Sequence, residues 1–150
     1  MALRGLIMDY AGVLTDGASM RELPLRARAA GRSTALVSSA GSVSREIEAL
    51  FDVLVLGGAV GAVKPDPEVY RRTAALLGLT TEECVVVDDL PANIRGAREA
   101  GAVGVLHDDP DTTIGEPCPR PGIGVFQTTF SVALHFCGGC CDASAWPFDF

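Results

Sequence analysis

The sequence is poor in several residue types, and each shortage argues against a class of protein. It has a single lysine, Lys64, and its 19 acidic residues leave a net charge of −7, which argues against a nucleic-acid partner. No run of about 18 apolar residues occurs, so no membrane association through a spanning helix is expected. The first apolar run is interrupted by Asp9, and no small-residue cleavage pattern follows it. That run is therefore predicted to be a core strand and not a signal peptide.

Cysteine and aromatic residues are scarce until about residue 117 and frequent after it. Residues 1–116 contain one cysteine, Cys84, and three of the nine aromatic residues. A lone thiol is consistent with a reducing compartment, and we expect a cytoplasmic location. A chain of 150 residues is the size of one domain. We therefore predict a core domain over 1–116 and an atypical hydrophobic tail, rich in Cys and Phe, over 117–150.

The tail has three interpretations. The segment HFCGGCC offers His135, Cys137, Cys140 and Cys141 as zinc ligands, although a single cluster is incomplete as a structural site. A second interpretation is an apolar extension that packs on the domain or on a partner. A third is translation in a shifted frame, since the tail is rich in residue types that GC-rich codons encode.

Upstream of the tail, apolar segments alternate with segments of helical periodicity. Strands are predicted over 3–9, 33–39, 52–57, 84–89 and 102–107. Helices are predicted over 21–31, with Pro24 near its start, over 42–51, with Ser42 as its N-cap, and over 90–101. A further helix begins at Pro67 after an Asp66 cap and closes at Gly78. Strands that are apolar throughout and alternate with helices indicate a parallel sheet covered on both faces, a three-layer Rossmann-like α/β fold.

Polar residues recur where the predicted strands end. They are Asp9 after the first strand, Ser38 and Ser39 after the second, Asp88 and Asp89 after the fourth, and Lys64 before the third helix. Ligands of open parallel sheets bind beyond the carboxyl ends of the strands. Four separate segments are thus expected to bring acid, hydroxyl and amine groups to one edge of the sheet.

This set of groups suits phosphoryl transfer assisted by a hard cation. The three aspartates supply the oxygen ligands that Mg²⁺ prefers, and a carboxylate can also be the nucleophile. A lysine and a metal offset the charge of an anionic substrate, and serines with backbone N–H groups can hold phosphate oxygens. Taken singly, each residue has a plainer interpretation: a turn former, a helix cap, a loop serine or a surface lysine.

The joint pattern resembles the haloacid dehalogenase (HAD) superfamily, in the branch that contains small phosphatases and the N-terminal domain of soluble epoxide hydrolases. LIMDYAGVLTD resembles the first family motif, ALVSSAGS the second, AVKPDPEVY the third, and CVVVDDLPANIRGAREAG the fourth. The resemblance covers residues 3–107. It implies a five-stranded sheet in the order 3-2-1-4-5 and a phosphorylated small molecule or protein as substrate.

The resemblance also implies a role for each matching residue. Asp9 would be the nucleophile and a Mg²⁺ ligand, and Lys64 would bridge it to the phosphoryl oxygens. Ser38 would bind the phosphoryl group, with Ser39 at a position where the family often has Asn. Asp89 would bind Mg²⁺ directly, Asp88 would support the ion through water, and Asn93 would orient the acidic loop.

The sequence departs from the family pattern at two places. Phosphatases of the family carry a second Asp two residues after the nucleophile, and its acid–base help is typically worth about 10²–10⁴-fold in rate. Here that position is Ala11. Phosphonate-cleaving relatives also have Ala there but use an additional lysine, and this chain has only Lys64. Dehalogenating relatives have Tyr there, and Tyr10 is one residue too early.

The second departure is the missing cap. Relatives of this branch insert a helical domain between the first two motifs, whereas only GASMRELPLRARAAGRS separates Asp16 from Thr34 here. The site is therefore expected to be open to solvent. Two functions follow: a capless, Mg²⁺-dependent hydrolase of weak activity, or a non-catalytic relative that binds phosphate or a protein.

Overall fold

A computed structural model of the chain describes residues 2–114, which form one five-stranded parallel sheet with helices on both faces. The strands lie in the order β3-β2-β1-β4-β5, and every neighbouring pair is parallel. This confirms the predicted Rossmann-like fold and its strand order. The proposed tail beyond residue 116, with its candidate zinc ligands, lies outside the described residues.

Five strands and five helices alternate along residues 2–114. The strands are β1 (Gly5–Met8), β2 (Ser33–Ser38), β3 (Val53–Leu56), β4 (Cys84–Asp88) and β5 (Val103–Leu106). The helices are α1 (Ala18–Ala29), α2 (Arg45–Glu48), α3 (Pro67–Leu76), α4 (Pro91–Glu99) and α5 (Pro110–Ile114). A tight turn, Tyr10–Leu14, follows β1, and a single helical turn, Thr81–Glu83, precedes β4.

The core lies in two layers, one on each face of the sheet. Met8 and Val87 of the sheet pack with Met20 and Leu23 of α1 on one face. Ile7 and Val86 pack with residues of α3 and α4 on the other, where Tyr70 is fully buried. Adjacent strand residues point to opposite faces, and both faces of the sheet are covered, which is why β1 and the first four residues of β4 carry no charged side chain.

The largest differences from the predicted helix bounds occur in α1 and α2. α1 begins at Ala18, three residues earlier than predicted, so Pro24 lies inside the helix and not near its start. The earlier start buries Met20 completely, and burial of a large apolar side chain contributes about 1.5–3 kcal/mol. This offsets much of the roughly 3 kcal/mol cost of an interior proline.

The second predicted helix, 42–51, is reduced to the four residues of α2, and its N-cap is Ser44 instead of Ser42. After α2 the chain continues in tight turns, in which Leu50 N–H bonds to Ile47 O and Phe51 N–H to Glu48 O. These turns allow Phe51 to reach the core before β3 begins.

α3 begins as the sequence predicts. The Asp66 side chain accepts a hydrogen bond from Glu68 N–H at 2.9 Å, and Pro67 takes the first helical position. None of the helices between residues 2 and 114 is long and apolar enough to cross a membrane.

Candidate active site

The site is built at the carboxyl ends of β1 and β4, which pair at the centre of the sheet. Asp9 follows β1 directly, and its N–H donates to Val87 O at 3.0 Å. Asp88 ends β4 and Asp89 follows it. One carboxylate oxygen from each of these three residues lies within 4.8 Å of the others. The central strand pair therefore brings together the acidic residues that the sequence predicted to converge.

Lys64 joins two of these carboxylates. Its Nζ lies 2.6 Å from Asp9 Oδ1 and 2.8 Å from Asp88 Oδ2. The lysine side chain is 6% exposed, Asp9 10% and Asp88 1%. The plain interpretation of Lys64 as a solvated surface side chain is therefore wrong, because the amine is buried between two acids.

Asp88 has no free oxygen. Besides Lys64, it accepts hydrogen bonds from Leu90 N–H at 2.9 Å and from Asn93 Nδ2, which lies 2.9 and 3.0 Å from its two oxygens. A carboxylate with four such contacts is fixed in orientation. Asn93, itself buried, thus holds the acidic loop in place.

Asp89 is the opposite case. It is half-buried, and within residues 2–114 its side chain makes no hydrogen bond or ion pair. It is not the N-cap of α4 either, since Leu90 takes that position. A partly desolvated carboxylate without a partner is costly unless a cation is bound. Together with the neighbouring oxygen donors of Asp9, this arrangement fits a hard cation such as Mg²⁺.

Gly12 makes room for Asp89. It has φ +79, and a Cβ atom at this position would overlap the Asp89 carboxylate. The preceding residue, Ala11, is exposed and extended (φ −73, ψ 129). The turn closes where Gly12 N–H donates to Thr15 Oγ1 at 2.9 Å. Glycine is therefore required here both by conformation and by contact.

Burial raises the pKa of Asp9 above its ordinary value of 3.8. The contact with the Lys64 amine acts in the opposite direction, and the charge of Asp88 adds to the rise. Desolvation is the largest of these effects, because the carboxylate charge is poorly stabilised away from water. A cation bound beside Asp9 would favour its ionised form.

The two serines lie beside the lysine. The residues that line one cleft include Ser38, Ser39, Val63 and Lys64. Ser38 is buried and its Oγ accepts from Ala40 N–H at 3.2 Å, whereas Ser39 is exposed. The structure thus places both serines next to Lys64. The hydrogen bond from Ala40 N–H also agrees with the plainer interpretation of Ser38 as a loop serine.

His107 is a further residue of this edge that sequence reasoning did not select. Its backbone N–H donates to Asp88 O at 2.9 Å. Of its ring nitrogens, Nε2 lies 2.9 Å from Asp16 Oδ2 and Nδ1 lies 2.6 Å from Thr113 Oγ1. It connects β4, the end of the Asp9 loop and α5. The sequence signal that could have identified His107 is its position directly after β5.

Gly96 is a second residue that was missed. It lies inside α4, and a Cβ atom there would overlap Pro65 O, in the loop that carries Lys64. A glycine in a helix interior costs about 1 kcal/mol relative to alanine, so its presence signals a packing reason.

We expect Gly96→Ala to lower the free energy of unfolding by about 1–3 kcal/mol, because the added methyl group has no space. Urea unfolding monitored by circular dichroism measures this. Gly41→Ala is the control, since nothing lies within 4 Å of a Cβ at Gly41 and its φ lies outside the left-handed range. Equal stability of the two variants would contradict the packing role.

Comparison with known proteins assigns the chain to a family. The model of haloacid dehalogenase-like hydrolases matches residues 19–101, more than half of the chain. The protein belongs to the HAD-like hydrolase family. The matched range contains Lys64, Asp88 and Asp89 and begins after Asp9.

Curated relatives of this HAD-like chain include epoxide hydrolases and phosphatases. It is 31% identical over 83 residues to the pig bifunctional epoxide hydrolase 2, covering 55% of this chain and 15% of that protein. It is 41% identical over 59 residues to phosphatase MT3486 of Mycobacterium tuberculosis, covering 39% and 27%. The chain thus spans less than a third of the length of these relatives.

Solved structures share the HAD-like fold. A Corynebacterium glutamicum protein is 37% identical, with a TM-score of 0.65, and the match covers 73% of this chain and 88% of that one. A HAD-superfamily hydrolase of subfamily IA from Geobacter sulfurreducens is 14% identical, with a TM-score of 0.52, covering 70% and 89%. The second likeness concerns the fold alone. In agreement with the predicted absence of a cap, α1 alone separates the Asp9 loop from β2.

Proposed function

We propose that this HAD-like chain is a slow, Mg²⁺-dependent phosphate-ester hydrolase in which Asp9 is the nucleophile. The observation that carries the proposal is the pairing of Asp9 Oδ1 with Lys64 Nζ at 2.6 Å beside the Asp89 carboxylate, which has no partner among residues 2–114. The phosphatase among the curated relatives supports the reaction class. The substrate class is a phosphorylated small molecule or protein, and the proposed location is the cytoplasm.

Each residue has a distinct task in this proposal. Asp9 and Asp89 would hold Mg²⁺ directly, whereas Asp88 would act through water because its oxygens are already engaged. The ion would supply charge neutralisation for the anionic phosphoryl group. Lys64 orients Asp9 and offsets its charge, while Ser38 and Ser39 receive the phosphate oxygens.

The activity is expected to be slow because Ala11 has no acid–base group. Its methyl side chain can neither protonate a leaving group nor remove a proton from water. A second function is therefore specific to this chain: a non-catalytic module that binds phosphate or a protein through the same residues. Ala11 is the observation that favours it.

Turnover of an aryl phosphate with and without Mg²⁺ separates the two functions. We expect metal-dependent release of the phenol by the native chain, loss of that release in Asp9→Asn, and unchanged release in the exposed-site control Asp111→Asn. Ala11→Asp is expected to raise turnover by about 10²–10⁴-fold.

An inert native chain with an active Ala11→Asp variant would favour the binding module. If no variant turned over the ester or bound Mg²⁺ by calorimetry, the hydrolase proposal would be wrong.

A further inference from the structure

The position two residues after Asp9 has no group that can carry a proton. Ala11 is exposed, and the next backbone N–H, that of Gly12, is engaged by Thr15 Oγ1. Tyr10 packs against the hydrophobic cluster that contains Met8 and Val13. The Asp9 loop therefore offers a nucleophile without an adjacent acid or base.

The other titratable groups of this edge, within residues 2–114, are either engaged by neighbours or assigned to the cation. Lys64 is paired with Asp9 and Asp88. His107 is 5% exposed, and both of its ring nitrogens are engaged, by Asp16 and Thr113. Asp89 is unpartnered, but it is the carboxylate assigned to the cation. None of these groups replaces the missing acid and base.

The two steps of the proposed reaction differ in how much they need a proton carrier. In the first, a carboxylate oxygen of Asp9 bonds to phosphorus and the bond from phosphorus to the leaving oxygen breaks. An alkyl ester expels an alkoxide, which requires a proton. An acyl phosphate expels a carboxylate, which leaves with its electron pair and needs none.

The second step requires removal of a proton from water, whatever the phosphate donor. A water oxygen bonds to phosphorus, the bond to the Asp9 oxygen breaks, and Asp9 leaves as a carboxylate while the proton of water is transferred to solvent. Without a positioned base this step is slow, since acid–base help is typically worth about 10²–10⁴-fold. The chemistry of this site therefore allows its first step and impedes its second.

We propose that the chain accepts phosphoryl groups from acyl phosphates and holds them as a long-lived phosphoaspartate on Asp9. This inference rests on the proposed function, because it requires Asp9 to be the nucleophile. It changes the product of the site: a phosphorylated form of the protein accumulates, and release of free phosphate limits turnover.

Intact-mass measurement of the full chain tests the proposal. The chain is incubated with Mg²⁺ and acetyl phosphate, or with glycerol phosphate as an alkyl ester. We expect the mass of one added phosphoryl group from acetyl phosphate and none from glycerol phosphate. The added group should be removed by hydroxylamine, as an acyl phosphate is, and should be absent in Asp9→Asn.

Decay of the label after donor removal tests its lifetime. In Ala11→Asp the label should decay about 10²–10⁴-fold faster than in the native chain. Ala75→Asp, at an exposed position of α3, should decay at the native rate. This control separates the position of the added acid from its charge.

The outcomes distinguish failure of the inference from failure of the proposed function. Native label that decays as fast as in Ala11→Asp, or native turnover of glycerol phosphate at a rate equal to that variant, would overturn the inference alone. So would an active Ala11→Asp variant alongside a native chain that takes no label. Retention of the label in Asp9→Asn, or no reaction of any variant with any donor, would overturn both.

Discussion

Replacing Lys64 by methionine is expected to lower the free energy of unfolding by about 3–5 kcal/mol near pH 8, because removal of one partner leaves buried charge uncompensated. The amine lies 2.6 Å from Asp9 Oδ1 and 2.8 Å from Asp88 Oδ2, and only 6% of the lysine side chain is exposed. Methionine preserves most of the side-chain length without the charge. The variant should also lose turnover, because the amine that orients Asp9 is gone.

The loss in Lys64→Met depends on pH in a defined direction. In the native protein, burial already places the pKa of Asp9 above 3.8, and removing the neighbouring amine raises it further. A carboxyl whose pKa is higher in the folded state than in the unfolded state favours folding least at high pH. The loss in free energy of unfolding caused by Lys64→Met should therefore grow as the pH rises through the folded-state pKa of Asp9. It should become smaller towards pH 4.

Urea unfolding of the metal-free protein at several pH values measures this effect. Arg26→Met is the matched control, since Arg26 pairs at 3.2 Å with Glu22 on the exposed face of α1. Such an exposed pair is worth about 0.3–0.5 kcal/mol. If Lys64→Met were as stable as Arg26→Met at pH 8, the buried ion pairs would not support the fold.

Gly12→Ala is expected to reduce turnover and Mg²⁺ affinity by about 10²-fold, because small displacements of reacting groups have effects of that size. The added Cβ would overlap the Asp89 carboxylate and force it from its place beside Asp9. The positive φ adds strain of about 1–2 kcal/mol for a non-glycine residue.

Gly31→Ala separates the two effects. Gly31 has φ +73, close to the +79 of Gly12, but nothing lies within 4 Å of its added Cβ. Both variants should lose about 1–2 kcal/mol of stability, and only Gly12→Ala should lose Mg²⁺ binding by calorimetry. Equal Mg²⁺ affinity in the two variants would show that Asp89 does not depend on Gly12.

The sequence was sufficient for the sheet and for the convergence of acidic residues, for a simple physical reason. Buried parallel strands are apolar at every position, so Asp9 and Asp88 mark where two of them end. The carboxyl ends of parallel strands lie at the same edge of the sheet, so the position of the site could be predicted from the strand ends alone. The lysine motif was similarly distinctive, because Asp66 and Pro67 mark a helix start immediately after it.

Features that depend on contacts between distant segments were not readable in this way. The start of α1 depends on burial of Met20 against the sheet, which outweighs the local signal of Pro24. Three features of the site can be seen only in the three-dimensional structure: the engagement of Asp88, the lack of a partner for Asp89 within the described residues 2–114, and the close fit of Gly12 against Asp89. His107 was missed because a lone histidine carries no spacing pattern.

The burial of Lys64 also affects how this protein can be modified. No other residue in the 150 provides a side-chain amine, and that amine is enclosed by two carboxylates. Lysine acylation, methylation or ubiquitin attachment can therefore occur only where the site has first opened. For this chain, any lysine modification and an assembled acidic site exclude each other.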